Sequence, residues 1–466
     1  MVSSSQNPAY WAYRGKPTML LGGSDEDNPF QWSGTRLTDH LDAMVSCGAN
    51  YVRNVLSDRD PGNAYAFRQT ADGRYDLTAW NDEYWDRFDS FLRQTAEREI
   101  VVQLTLWDQY DIRGQGYDMR DTHPWHPSRN VNYHGTATIS RWTDFFCTVE
   151  RGNEEVLRYQ RSFVLRVLET SLQYDHVLYN ICNENFTSMR WDAYWAGLIH
   201  TTSGTSRVHV TAMQMSAEAT VRATIGRTDL YSYADISQNN QDALGRSGPE
   251  HYATALRFRR LLSAAGPIPM NNEKIYGSRD GIVEAGTEVE ATRRFWRNIF
   301  AGCAAARFHR PTWGLGLSDD ARRMILAARM LLDAFDVFRS IPLNDLIQRG
   351  TASEAYCLAI PGEGYAVYLP TGGSVILDPV VYADLAEVRW LDVESGTWSP
   401  TVAHRVSWSG YAGMLATQKT RGEVLLLAPT RDVFTYRNQW VAVITIGEGA
   451  GCSRDPKQAR ANAFSR

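Results

Sequence analysis

The chain has 466 residues, 43% of them hydrophobic and 22% charged, with a formal net charge of -5. A balance so near neutrality, with no Lys/Arg run interleaved with aromatics, excludes a nucleic-acid partner, and no apolar run reaches the roughly 20 residues that cross a bilayer, so no membrane partner is expected. Six cysteines (Cys47, Cys147, Cys182, Cys303, Cys357 and Cys452) lie scattered without close pairs, which excludes a disulfide framework and a Cys-rich zinc site. Buried thiols in a reducing compartment, and an N-terminus without basic and apolar leader regions, make a cytoplasmic protein the expectation. Fifteen Trp and 23 Tyr are more than a core needs. Flat rings with a polar edge suit ligands with apolar faces and hydroxyl rims, and sugars are such ligands.

In chain order, Gly15-Lys16-Pro17 is a turn before the apolar run Thr18 to Leu21, which empties into Gly22-Gly23-Ser24-Asp25-Glu26-Asp27-Asn28. This reads as a first strand with a polar loop at its end, and it makes Asp25 a binding candidate. Leu37, Leu41, Met44 and Val45 follow at helical spacing, so a helix is predicted from about Thr35 to Cys47, stopped by Gly48. Tyr51 to Leu56 is a second strand carrying Arg53. Tyr84, Phe88, Phe91 and Leu92 mark a second helix, and Ile100 to Leu106 a third strand ending in Trp107-Asp108. Gln109 to about Glu155 is read as a long loop rich in His, Trp and Asn, with His123, Trp125, His126 and His134; a loop this long in a compact domain is usually a binding loop or lid.

Val156, Phe163, Val167 and Leu168 restore a helix, and Val177 to about Ile181 is a fourth strand that ends abruptly in Asn183-Glu184-Asn185. Val208 to Met213 is the fifth strand, Asp229 to Asp235 the sixth, and Pro267 to Asn271 a brief seventh that ends before Asn272-Glu273-Lys274. Ala304 to Phe308 is the eighth, with His309 and Trp313 at its exit. Eight strand-helix units, closed by a helix from Asp319 to about Phe338, predict an α/β fold, a (β/α)8 TIM barrel. Beyond Ile341 the pattern changes to short strands (356–360, 364–369, 374–377, 387–391, 423–427 and 440–446) with no helix between them. The expected organisation is a catalytic barrel over 1–341, an antiparallel β-sandwich over 342–450 acting chiefly as a structural prop, and a polar tail over 451–466.

In a parallel barrel, chemistry sits at the C-terminal ends of the strands. Glu184 after strand four and Glu273 after strand seven stand at comparable depths across the mouth, the pair that glycoside hydrolysis needs: one acid for the leaving oxygen, one carboxylate to attack or to activate water. Arg53 is placed to hold the nucleophile ionised, Asn183 to bind a hydroxyl beside the reacting carbon, and Trp313 to floor a sugar subsite. Trp107, Asp108, His123, Trp125, His126 and His309 complete the candidate binding residues. The same residues admit structural readings: Asn183-Glu184-Asn185 as a capping cluster for the next helix, Arg53 in a structural ion pair, Trp313 as rim packing.

The Asn183-Glu184 pair, Glu273 and Arg53 at these strand ends resemble glycoside hydrolase clan A, the retaining (β/α)8 glycosidases. More narrowly, Trp11-Ala12-Tyr13-Arg14-Gly15-Lys16-Pro17, Leu20-Leu21-Gly22-Gly23 and the late Val388-Arg389-Trp390-Leu391-Asp392 with Gly396-Thr397-Trp398 resemble apiosidase-type barrels with a C-terminal collagen-binding-like sandwich. The resemblance implies Glu184 as acid/base, Glu273 as nucleophile, Asn183 as a substrate ligand, no cofactor or metal, and a carbohydrate substrate; homo-oligomerisation stays open. Clan members often place a His or Tyr after strand six against the nucleophile. Here Tyr233 and Gln238 are the candidates for it, and His309 departs from the general pattern. Two other readings stand beside this one: a catalytically inactive carbohydrate-binding protein, and a metal-dependent TIM-barrel hydrolase using Asp108, His123, His126 and His134. Against the latter, prolines interrupt His123 and His126, and no His-x-His appears on the first strand.

Overall fold

The computed structural model describes residues 1–134, 139–205, 208–239, 247–266, 268–277, 283–348, 353–379, 385–405, 407–408, 422–429 and 438–446. Cys452, Asn240, Pro267 and the expected tail lie outside these. Eight parallel strands form one sheet: β1 Leu20–Gly23, β2 Tyr51–Val55, β3 Val101–Asp108, β4 Val177–Asn183, β5 Val210–Thr211, β6 Ala234–Asp235, β7 Met270–Ile275 and β8 Ala305–Phe308. Their order is β5-β4-β3-β2-β1-β8-β7-β6, and the Ser232 amide donates to the Val210 carbonyl at 3.0 Å, linking the two ends. The fold is a (β/α)8 barrel, as the alternation of periodicities predicts.

Close packing at β1 explains its glycines. A Cβ at Gly22 would meet the Tyr51 carbonyl, and one at Gly23 the Gly316 carbonyl, so the neighbouring backbone fits only where no side chain intervenes. Helices follow the strands with caps that the sequence supplies. Asn81 accepts from the Glu83 amide, Asn153 from Val156, Ser216 from Ala219, and Ser247 forms a capping box with Glu250. The helix after β4 is Met189–Ser203, and its cap is Ser188, which accepts from the Arg190 and Trp191 amides. Asn183 and Glu184 are therefore not spent on capping.

Strand β7 differs from the expectation in a way that shapes the site. It does not end at Asn271 but runs to Ile275, so Asn272, Glu273 and Lys274 are strand residues. Its register against β8 is Asn272↔Ala306 and then Ile275↔Phe308, three residues against two, which is a β-bulge. The hydrophobic-run signal failed here because the strand's end carries polar side chains aimed at the mouth. Strands β5 and β6 are shorter than expected, and small antiparallel elements, such as Phe67–Gln69 with Tyr75–Trp80, were not anticipated.

The long loop after β3 contains two short helices, Gln109–Ile112 and Trp142–Phe145. Its Trp125 and the strand-end Trp107, each 4% exposed, pack with Phe145 and Phe163, and Trp107 also meets Trp191 and Trp195 at ring-centroid distances of 5.9 and 5.6 Å. This is an aromatic core beneath the loop.

The described residues divide into two compact units, 1–291 with 303–321, and 292–302 with residues from 322 onward. All eight barrel strands lie in the first. The second contains antiparallel sheets: one orders Ile341–Pro342, Tyr356–Ile360, Gly364–Leu369, Trp440–Ile446, Leu385–Asp392 and Thr397–Trp398, and another orders Ser374–Leu377, Gly422–Leu427 and Ser407–Trp408. Alternate residues such as Val367, Val375, Val388, Leu426 and Ile444 fill its core, and Trp296 stacks on Tyr368 at 5.7 Å. Among the described residues no helix is long and apolar enough to cross a membrane.

Because Trp107 is surrounded by rings, Trp107→Ala is expected to destabilise the protein by about 3–5 kcal/mol. Urea unfolding measures this; a loss below about 1 kcal/mol would show that the cluster is not a core.

Candidate active site

The site is built around a buried guanidinium. Arg53, on β2 and 1% exposed, reaches Asp27 Oδ1 at 2.5 Å, Glu273 Oε1 at 2.9 Å and Asn183 Oδ1 at 3.0 Å. Asn183 in turn donates to Asp108 Oδ1 at 3.0 Å, and Asp108 pairs with Arg59 at 2.7 Å. Strands one, two, three, four and seven thus meet in one polar network at the C-terminal mouth.

Lys274, 1% exposed, completes it from β7. Its Nζ donates to Asn183 Oδ1 at 2.6 Å and to Glu184 Oε1 at 2.5 Å. Regular alternation turns neighbouring residues of a strand to opposite faces, yet Glu273 reaches Arg53 and Lys274 reaches Glu184. The bulge in β7 reconciles the two. Glu184 also accepts from the Tyr110 hydroxyl at 2.9 Å through Oε2, and its carbonyl accepts from Gln109 Nε2 at 2.8 Å. Its backbone φ is +56°, in the left-handed region that costs a non-glycine residue about 1–2 kcal/mol. Strain of this kind, held in place by surrounding contacts, gathers at functional sites.

The two carboxyls differ in charge. Burial alone would raise Glu184, but the Lys274 ammonium, with hydrogen bonds from Lys274, Gln238 and Tyr110, overrides it and takes the group down to about 2. Burial dominates at Glu273, and the Asp235 carboxyl adds to it, so Glu273 is pushed up to about 8 although Arg53, Lys274 and Arg307 pull the other way. The expectation for a resting glycosidase was the reverse: a protonated Glu184 and a Glu273 kept ionised by Arg53. Lys274 is the reason for the difference at Glu184, and complete burial for the difference at Glu273, whose side chain is 0% exposed. Asp27, by contrast, is ionised: its burial is outweighed by Arg53, His309, Arg310 and Arg59, which hold it well below the usual range.

The remaining candidates separate into two groups. Gln238, fully buried, lies beside Glu184 and helps to lower it, and His309 lies 3.5 Å from Asp27 Oδ1 with its ring 5.2 Å from Tyr276. Trp313, half-buried, sits 5.6 Å from Tyr276 at the rim. Away from the network, Tyr233 donates to the Tyr179 carbonyl at 3.0 Å and packs on Trp11; Trp107 and Trp125 are in the aromatic core; His126 bonds Ser128 on the loop. Asp25 is exposed and accepts from the Leu317 amide at 3.0 Å. The acid at the centre is Asp27, two residues on in the same Asp-Glu-Asp run, and nothing local in that run separates it from Asp25. Lys274, Tyr110 and Arg307 were also missed; Arg307 donates to the Glu273 carbonyl at 2.7 Å.

One cluster has metal-ligating types. Among the described residues, Asp58, Asp111 and His123 bring three ligand atoms within 4.8 Å of one another. Arg120 Nη2 already lies 2.7 Å from Asp58 and 3.2 Å from Asp111. His123 Nδ1 accepts from the Trp125 amide at 3.2 Å, so in the neutral ring Nε2 carries the proton and donates to Asp111 at 3.2 Å. These residues form a hydrogen-bonded buckle that ties the loop to β2, and they do not fit a metal.

The two carboxyl shifts give opposite pH dependences. Glu184 is lowered from 4.5, so it stabilises the fold above that value and the contribution is lost as pH falls towards about 2. Glu273 is raised from 4.5, so its contribution is present below that value and is lost as pH rises through about 8. Relative to wild type, Glu273→Gln is therefore expected to gain thermal stability above pH 8, and Glu184→Gln to flatten the loss of stability between pH 4.5 and 2. Melting curves across pH check both; parallel curves would contradict the assigned charges.

No family model matches the chain, and no curated protein matches it in sequence. Solved structures do match it in fold. A glycoside hydrolase family 5 structure from Bacteroides vulgatus superposes with a TM-score of 0.64 at 12% identity, covering 96% of this chain and 93% of that one. A structure described as a glycoside hydrolase gives 0.66 at 12% identity, covering 96% and 97%. The α-amylase of Geobacillus thermoleovorans, complexed with acarbose, gives 0.54 at 10%, covering 93% and 97%. The chain therefore has the (β/α)8 barrel fold that these glycoside hydrolases share.

Proposed function

We propose that the chain is a retaining glycoside hydrolase that cleaves an oligo- or polysaccharide by double displacement, with residues 1–341 as the catalytic part. The observation that carries this reading is the single network in which Arg53 touches both Glu273 and Asn183, while Asn183 shares Lys274 with Glu184. Two carboxyls from opposite strands, and an amide between them, are the parts the reaction requires. The barrel's likeness to glycoside hydrolase structures supports the same class.

In this mechanism Glu273 attacks the anomeric carbon while Glu184 protonates the departing oxygen; Glu184 then takes a proton from water as the glycosyl-enzyme is hydrolysed. Asn183 binds the hydroxyl beside the reacting carbon. Trp313, half-buried against Tyr276, offers ring surface for the sugar face at the rim. The Lys274–Glu184 ion pair favours a second reading, a sugar-binding barrel without turnover, because a carboxylate clamped by an ammonium is no proton donor.

Turnover on a panel of aryl glycosides and polysaccharides separates these. Glu273→Ala is expected to lose activity on every substrate. Glu184→Ala should lose about 10²–10⁴-fold on glycosides with poor leaving groups, retain activity on activated aryl glycosides, and be accelerated by azide. Wild-type turnover by Glu273→Ala, or product of inverted configuration, would overturn the retaining assignment.

A further inference from the structure

Resting on that reading, the position of Lys274 raises a problem that the two-carboxylate mechanism does not solve by itself. Both side-chain oxygens of Glu184 are acceptors, one to Lys274 Nζ at 2.5 Å and the other to the Tyr110 hydroxyl at 2.9 Å. A carboxyl engaged in this way has no proton to give and no oxygen free to approach a glycosidic bond. We propose that Lys274 is a positioning residue that holds Glu184 as a carboxylate until a bound glycoside takes its place, so that opening the Lys274–Glu184 pair turns Glu184 into the proton donor.

The surroundings make the two carboxyls respond differently to that opening. Among the described residues, Lys274 is the one cation within salt-bridge distance of Glu184; the other titratable groups nearby include Tyr110 from the helix after β3, Cys182 on β4 and Tyr276 beyond β7. Glu273 faces Arg53 from β2, Arg307 from β8 and Asp235 from β6, with Tyr51 beneath and Asp27 and His309 behind Arg53. When Lys274 withdraws, Glu184 loses its salt-bridge cation, whereas Glu273 loses only the weaker pull of Lys274 and keeps Arg53 at 2.9 Å. Glu184 then takes a proton from solvent: an O–H bond of hydronium breaks, one to Glu184 forms, and Lys274 stays an ammonium throughout. The result is the proton donor that double displacement needs at Glu184.

The bulge supplies the geometry. Without the extra residue between Asn272 and Ile275, Lys274 and Glu273 would face opposite sides of the strand. The insertion that re-aims the lysine is thus a feature of the site rather than an irregularity of the barrel.

Carboxyl NMR of protein labelled with ¹³C at the glutamate carboxyl, with resonances assigned through Glu184→Gln and Glu273→Gln, tests the proposal. In the wild type the Glu184 signal should remain that of a carboxylate well below the ordinary glutamate value of about 4.3. In Lys274→Met its midpoint should rise by about two pH units, and Lys274→Arg, which keeps the charge, should restore the wild-type titration. An unmoved midpoint in Lys274→Met overturns the proposal, as does a wild-type Glu184 that titrates at the ordinary value, a result that needs no folded variant. Should Lys274→Met not fold, Lys274→Gln provides the same reading. These titrations do not require turnover: an inactive protein with a shifted Glu184 sinks the hydrolase reading alone, and normal hydrolysis with an unshifted Glu184 sinks this inference alone.

Discussion

Arg53 is the charge on which the rest of the site depends. Moving a guanidinium into a barrel interior costs several kcal/mol unless anions and hydrogen-bond acceptors meet it there. Asp27, Glu273 and Asn183 do so from three different strand ends. Each acceptor is then held by a further partner: Asp27 by Arg59, Arg310 and His309, and Asn183 by Asp108 and Lys274. Removing the guanidinium would leave the Asp27 carboxylate buried without its foremost cation and Glu273 and Asn183 without their common donor, so the network stands or falls together. Such a network also holds side chains in one geometry, and catalysis by positioned groups needs that.

A second constraint acts on the proton. Glu184 and Glu273 have the same chemistry, and their environments push them to opposite ends of the neutral range. Carboxyls separated in this way are how one barrel can hold an acid and a base at a single pH. Here the separation is assigned by one lysine and by depth in the barrel. Glu184 sits where an ammonium and two neutral donors reach it; Glu273 lies below, with a guanidinium on one side and the Asp235 carboxyl on another. The strained φ of Glu184 and the bulge of β7 are the backbone cost of that arrangement.

The aromatic richness divides between two tasks. Trp107, Trp125, Trp191 and Trp195 are interior, and they anchor the loop after β3 by burying large rings against the barrel's outer layer. The loop is held further by the Asp58–Asp111–His123 buckle, in which burial and the facing Asp111 charge push Asp58 up to about 7. Rings near the mouth among the described residues include Tyr110, Tyr276 and Trp313. Composition by itself could not distinguish the two sets, because a tryptophan that floors a sugar and one that fills a core are alike in a count.

The amino-acid pattern by itself determined the alternation of eight strands with helices, the change to strands alone after Ile341, and the two glutamates with Arg53 and Asn183. These were legible because they rest on local periodicity and on polar residues placed directly after apolar runs. The ends of the strands 356–360, 364–369 and 374–377 agree to the residue for the same reason: each is bounded by turn-forming residues. What only the tertiary structure decided is how the side chains point and what stands beside them. Lys274 was visible next to Glu273, but a period of two assigns it to the opposite face, and a bulge depends on pairing with β8. Asp27 rather than Asp25 became the central acid because Arg53 arrives from another strand. The protonation of the two glutamates followed from burial and from charges far away in the chain, Lys274 for Glu184 and Arg53 for Glu273, which no local pattern carries.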